Sequence, residues 1–294
     1  MRLVTYTERV NSGYSHELTL YHITDTHLGA VDTDEDTLRA LVKEIDKDPN
    51  ARWTFGGDLG DLIGTNDRRW HPHKLPDRYR DAMFEPGGMV EETIQHGLEI
   101  FMPIRDKMLA WIGGNHERSA RKHMGDREIG LEVCREMGFP SRYLGYGGFI
   151  RWEWKMKGKS ISTIIDMHHG WQGGRKPGAK MNQAELEFSF SNADIILRGH
   201  SHDRQAHVFE SVQAKREGLF PWQRVYVNGG TFKLGNIDST GKGNASVDDT
   251  WEETKLFRRK WGTLVGPPPI VVRAVVQQSR APVRRPTFTY EVRI

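Results

Sequence analysis

"MLAWIGGNHE", residues 108–117, joins a short apolar run to two glycines and then to an amide, an imidazole and a carboxylate side by side. The apolar run reads as a buried strand, and the glycines as the tight turn that ends it. By themselves Asn115 and His116 have an ordinary reading as turn residues. Four further runs of β type end in the same way. "ELTLYHIT" (17–24) leads into Asp25-Thr-His27, and "ARWTFGG" (51–57) into Asp58, with Asp61 three residues on. "TIIDM" (163–167) leads into His168-His169-Gly170, and "DIILRG" (194–199) into His200-Ser-His202. In α/β sheets, ligand crevices form outside the carboxyl ends of strands. Carboxylates, imidazoles and one amide gathered there suit borderline divalent ions such as Mn, Fe or Zn.

Between these runs the pattern turns helical. "EDTLRALVKEID" (35–46) sets Leu38, Leu41, Val42 and Ile45 on one face, and "VEETIQHGLEIF" (90–101) does the same with Val90, Ile94, Leu98 and Phe101. Residues 117–137 read as mostly helical and "AELEFSFSNA" (184–193) as a short helix, while "FIRWEWKM" and "SISTIIDM" read as paired strands. Strands alternating with helices predict a layered α/β domain. Residues 64–88, rich in Pro, Gly, Arg and His, read as an inserted loop. Past residue 235 the pattern weakens. The expected organisation is therefore a catalytic domain over 1–235 and a basic, partly extended C-terminal segment over 236–294, whose last stretch reads as an edge strand.

Hydrophobic residues make up 37% of the 294-residue chain and charged ones 28%, which suits a globular protein rather than a disordered one. No apolar run approaches the ~20 residues a membrane span needs, and the first twenty residues hold no continuous apolar core of a secretory signal. Cys134 is the single cysteine, so no intrachain disulfide can form, in keeping with a reducing, cytoplasmic compartment. Residues 251–294 carry nine Lys or Arg against three Asp or Glu, a charge that suits a phosphate-rich partner such as DNA or RNA.

The five blocks, taken in order, resemble the calcineurin-like metallophosphoesterase superfamily: Asp-x-His, Gly-Asp-x-x-Asp, Gly-Asn-His-Asp/Glu, a lone His, and Gly-His-x-His. The resemblance runs from Asp25 to His202 and implies a four-layer α/β/β/α sandwich with two divalent metal ions, Mn favoured. It implies that Asp58 bridges the ions, that Asp25, His27 and His202 complete the first site, and that Asn115, His200 and one histidine of "MHHG" complete the second. That histidine is expected to be His168, with His169 as the alternative. His116 matches the histidine beside the substrate, and Asp61 the carboxylate that orients it.

Two cations ~3.5–4 Å apart can hold a bridging hydroxide near neutral pH and clamp phosphate oxygens, which is phosphoester hydrolysis. Asp61 stands where purple acid phosphatases carry Tyr. Asp61-Leu-Ile stands where protein Ser/Thr phosphatases carry Asp-Arg-Gly. "HHGWQGGRKPGAKMN" (168–182) is more similar to phage and bacterial phosphoesterases of nuclease-like role, which points to a bacterial or phage-infected host cell. A phosphodiesterase or nuclease is therefore expected, with Arg118 and Arg175 as substrate-binding candidates. The alternatives are a phosphomonoesterase acting on a small molecule or protein, and a binding protein built on a degenerate fold.

Overall fold

The computed structural model describes residues 2–10, 15–65, 67, 70, 75–156, 158–171, 177–215, 218–234, 266–275 and 287–293. Two sheets form the centre. One holds five strands in the order β11 (Thr287–Val292), β10 (Ile270–Val275), β2 (Ser15–Ile23), β3 (Ala51–Phe55) and β4 (Met108–Trp111). The other holds six, in the order β1 (Arg2–Val10), β5 (Gly147–Met156), β6 (Lys159–His168), β7 (Ile195–Arg198), β9 (Gly218–Gly229) and β8 (Arg204–Lys215).

The inner faces of the two sheets meet in an apolar layer. Leu18, Leu20, Ile270 and Val272 from the first sheet face Ile150, Trp152, Ile165, Leu197 and Val225 from the second. On the outside of the five-stranded sheet lie α1 (Glu35–Lys47), α3 (Gly88–Phe101) and α5 (Ile129–Glu136). Their Leu38, Val42, Ile94 and Val133 close over Tyr21, Trp53, Phe55 and Trp111. On the outside of the six-stranded sheet, α6 (Pro177–Phe190) packs Ala184 and Phe188 against Ile196 and Tyr226. The layers are thus helix, sheet, sheet, helix, as the family resemblance implies. Trp111 and Trp152 are core residues, and the Phe55 and Trp111 rings stack with centroids 4.0 Å apart.

Local chemistry fixes the helices that carry the sheet. Asp34 caps α1 by accepting from Thr37 N–H at 3.0 Å, with Glu35 and Asp36 in the first turn where the helix dipole favours negative charge. At the other end the Lys107 ammonium donates to the carbonyls of Ile45, Asp46 and Asp48 at 2.6–2.8 Å, which satisfies acceptors the helix leaves open.

β2, β3 and β4 are parallel, joined by crossovers through α1 and α3, and β6 and β7 are parallel, joined through α6. Parallel strands share one carboxyl end. Residues that follow β2, β3, β4, β6 and β7 therefore collect at the same end of the sandwich.

Several features depart from the expectations. β1 and β8 lie at the two edges of the six-stranded sheet, and neither was read from the sequence. The segment expected as an inserted loop holds the short helix α2 (Asp77–Ala82) in its described part, and its Tyr79 is buried under Gly29. Residues 117–137, by contrast, are mostly helical as expected, in two helices, α4 (Asn115–His123) and α5. Beyond residue 235, β10 lies inside the five-stranded sheet, antiparallel to β2, while β11 takes the edge position expected of the last stretch.

Candidate metal centre

The loops after β2 and β3 run side by side. Asp25 N–H donates to Gly57 O at 2.9 Å, His27 N–H to Asp58 O at 3.0 Å, and Leu28 N–H to Leu59 O at 2.8 Å. This zipper faces the side chains of Asp25, His27 and Asp58 toward one point. Backbone N–H groups from the other loops then fix the carboxylates. Asp25 accepts from His200 N–H at 3.0 Å, and Asp58 Oδ1 accepts from His116 N–H at 2.9 Å.

This convergence forces unusual backbone. Asp25, His27, Asp58, His200 and His202 all have positive φ, between 47° and 68°. Such angles cost a non-glycine residue free energy and persist only where the surroundings enforce them. The loops also need glycine for close approach. A Cβ on Gly57 would stand 2.6 Å from Gly114 N, and one on Gly199 would stand 2.5 Å from Asp25 Oδ2.

Three interlocking groups of ligand atoms result: Asp25–His27–His202, His27–Asp58–His116 and Asp58–His169–His200. Their spacings pass a simple test. Ligand atoms ~2.1 Å from one ion lie roughly 3.0–3.4 Å from one another. His27 Nε2 and His202 Nε2 are 3.1 Å apart. His169 Nε2 is 3.1 Å from Asp58 Oδ2 and 3.0 Å from Asn115 Oδ1, which in turn lies 2.7 Å from His200 Nδ1. Asp58 belongs to both halves, with Oδ2 also 4.0 Å from His27 Nε2. The donor set therefore fits two cations sharing Asp58.

Of the two adjacent histidines, the chain brings His169 to the centre. His169 Nδ1 donates to Gly56 O at 2.7 Å, which turns Nε2 toward Asp58 and Asn115. The expectation favoured His168, whose imidazole takes no part in these groups. It accepts from Gly170 N–H at 2.9 Å and lies edge-on to Trp171. The cause is strand alternation: His168 closes β6, and its neighbour points to the other side.

Asp61 also differs from its expected contact. Its carboxylate lies 3.1 Å from His27 Nδ1 and 3.9 Å from His116 Nδ1. The close partner of His116 Nδ1 is the backbone carbonyl of Asp61. His116 does stand at the centre, its ring edge-on to His27 with centroids 4.8 Å apart. Arg118 is exposed one turn along α4 from Asn115, its guanidinium 5.3 Å from the Tyr146 ring centroid. Arg175 lies outside the described residues.

The charges are strongly coupled to their surroundings. Burial pushes the Asp58 carboxyl up, but the charges of His169, His116 and His27 outweigh it and hold it well below the usual carboxylate range. Burial pushes His169 down, but Asp58 and Asp25 reverse this and raise it to about 10. Burial lowers His27 to about 4, so this imidazole is neutral and free to ligate.

Two residues the sequence reading left without a role support the cluster. Glu117 accepts from the N–H groups of Asp58, Leu59 and Gly114 at 2.5–3.1 Å and so ties the β3 and β4 loops together. Burial and then the charge of Asp58 push its carboxyl up to about 7. Lys233, in the segment after β9, is buried beside Asp61 and Asp32. Glu117 was legible as the last residue of the Asn-His-Glu block; Lys233 carried no motif.

A carboxylate–imidazole–amide cluster, its carboxylates buried and its amide exposed, stands at the strand ends of a two-sheet sandwich and defines a candidate metal centre for phosphoester chemistry. The chain belongs to the calcineurin-like phosphoesterase family, whose sequence model matches residues 18–204. No curated protein sequence matches the chain. Similar solved structures include Vps29 from Chaetomium thermophilum, at 9% identity, 94% of this chain, 96% of that chain and a TM-score of 0.34. A predicted phosphoesterase from Streptococcus pneumoniae aligns at 11% identity, with 94% and 99% covered and a TM-score of 0.30. The NAD nucleotidase of Haemophilus influenzae aligns at 13% identity, with 94% and 50% covered and a TM-score of 0.37.

Proposed function

We propose that the protein is a phosphodiesterase with two divalent ions, Mn favoured, and that its physiological substrate is a polynucleotide. The observation that carries the reading is the position of Asp58, a member of two of the three ligand groups. Asp25, His27 and His202 would hold one ion, and Asn115, His169 and His200 the other, with Asp58 common to both. The bound ions supply a water of lowered pKa and the Lewis acidity that polarises a phosphoryl oxygen.

The chain's own groups supply orientation and the proton. Asn115 adds a donor atom without a further negative charge, which keeps the site attractive to an anionic phosphodiester. His116 donates Nδ1–H to the Asp61 carbonyl, so Nε2 is the atom left to act on substrate. In its protonated form that Nε2–H can protonate the departing oxygen. Asp61 accepts from His27 Nδ1 and keeps the ring turned with Nε2 inward.

Features at the rim support a nucleic-acid substrate. Arg118 is exposed beside Asn115 and can meet a neighbouring phosphate. Trp171, two residues from His169, is 50% exposed and offers a face on which a base can stack. The +6 balance of residues 251–294 adds cations that a polynucleotide, unlike a small monoester, can use. We assign residues 1–235 to the catalytic unit and 236–294 to an extension that also contributes β10 and β11. A cytoplasmic site in a bacterial or phage-infected cell suits this substrate. Among the described residues, no helix is long and apolar enough to cross a membrane.

A hydrolysis panel with Mn tests the substrate class: model mono- and diesters, cyclic nucleotides, single- and double-stranded DNA, and RNA. Cleavage of nucleic acid and diesters ahead of monoesters is expected. Turnover of small monoesters, with nucleic acid neither bound nor cut at low salt, would replace the reading with a phosphomonoesterase.

A further inference from the structure

We propose that Lys233 is a positioning residue: its buried ammonium locks the Asp61 carboxylate onto His27 and thereby sets the geometry of the first metal site. The inference rests on the two-ion reading above. It concerns a residue that lies outside the family-matched stretch 18–204.

The connection can be followed atom by atom. Lys233 Nζ lies 3.2 Å from Asp32 Oδ1 and 3.5 Å from Asp61 Oδ1, and the residue is 6% exposed. Asp61 Oδ1 also lies 3.1 Å from His27 Nδ1. The opposite nitrogen of the same ring, Nε2, belongs to the centre, 3.1 Å from His202 Nε2. A ring held by Nδ1–H···carboxylate has a fixed tautomer and presents the Nε2 lone pair to a metal. The carboxylate that fixes it must itself be fixed. Asp61 sits in a loop, and Lys233 brings its positive charge to the same oxygen, Oδ1, that meets His27.

The backbone around Lys233 is tied to the same loop. Phe232 N–H and Thr231 Oγ1 both donate to Asp25 O, at 3.1 and 3.0 Å. Leu234 N–H donates to Asp32 O at 2.7 Å, and Asp34 N–H to Phe232 O at 2.7 Å. Residues 231–234 thus run along the loop that carries Asp25 and His27 and deliver the ammonium beneath it. Asp32 partners the lysine from that loop; its second oxygen, Oδ2, is buried with no hydrogen-bond partner. A carboxylate left so incompletely satisfied contributes charge rather than a hydrogen-bond network, which fits a role in retaining the ammonium.

A plain structural ion pair and a positioning device make different predictions. Lys233→Met alone strands two buried carboxylates and can unfold the chain. The double variant Asp32→Asn, Lys233→Met removes the pair together, which should recover folding. It still leaves Asp61 without its cation. Manganese titrations by calorimetry on the folded full chain, with thermal melts in chelator beside them, read both properties. The double variant should melt near wild type yet bind one of the two ions about 10–100-fold more weakly, the usual range for a lost support of a metal ligand. Asp61→Asn should weaken the same ion, and adding Lys233→Met and Asp32→Asn to it should add little.

Wild-type affinity for both ions in a double variant that melts normally would overturn the positioning role and leave the two-ion reading intact. So would additive losses with Asp61→Asn. If the wild-type chain itself takes up fewer than two ions, the two-ion reading fails, and this inference fails with it.

Discussion

Replacing His169 by Ala separates the two adjacent histidines and can be read without a substrate. The His169 imidazole lies 3.1 Å from Asp58 Oδ2, and both side chains are buried. Removing one member of such a pair costs about 3–5 kcal/mol, because the other charge stays buried without it. The effect should depend on pH with a definite sign. His169 is raised from 6.5 to about 10, so its contribution to metal-free stability is complete below about pH 6.5 and is lost as pH rises through 10. Between those limits the gap between wild type and variant should shrink by about 1.4 kcal/mol per pH unit. Asp58, held below 3.8, contributes the complementary limit: its share is present above 3.8 and is lost as pH falls further. Urea denaturation in EDTA at pH 6, 8 and 10 measures the gap. In manganese, the variant should lose affinity for one ion by more than ~100-fold, exceeding the loss typical of a supporting residue. His168→Ala, whose imidazole meets Gly170 N–H and Trp171, should show neither effect. A gap that does not change with pH, or loss of metal in His168→Ala instead, would refute the reasoning.

Other outcomes follow from the same geometry. His116→Ala should lower kcat by ~10²–10⁴ with metal stoichiometry unchanged; loss of an ion in calorimetric titration would make His116 a ligand. Gly199→Ala places a Cβ 2.5 Å from Asp25 Oδ2, so it should cost about 1–3 kcal/mol and weaken the first ion; normal melting and metal uptake would contradict that packing. Arg118→Ala should weaken polynucleotide binding and reduce its salt slope by about 1, while kcat on a small model diester stays constant. An unchanged slope would remove Arg118 from the substrate path.

Much of the fold was legible because buried parallel strands read as apolar runs and their carboxyl ends carry the chemistry. β2, β3, β4, β6 and β7 are of this kind. β1 and β8 are edge strands with many exposed positions, and without an apolar run they gave no comparable signal. The same applies to α2, six residues long, in a stretch whose Pro and Gly content reads as loop.

At the site, the residue types and their order were visible, since five strand ends repeat one chemistry. Side-chain direction was not. The pair His168-His169 offers two identical imidazoles, and only the end of β6 decides which one turns inward. Asp61 likewise shows which loop it belongs to, but not that its carboxylate meets His27 while its carbonyl meets His116. Lys233 was invisible for a different reason. Its partners Asp32 and Asp61 lie some two hundred residues earlier, and a lone lysine after "NGGTF" has no local pattern.

The central claim is a pair of ions sharing one carboxylate. Metal content per chain after purification without chelator, followed by manganese titration of wild type and Asp58→Asn, tests it most directly. Two ions per wild-type chain are expected, with both sites weakened and turnover abolished in Asp58→Asn, because an amide bridges two cations poorly. A wild-type chain that binds one ion or none, or an Asp58→Asn chain that keeps two ions and near-normal turnover at limiting metal, would contradict the account.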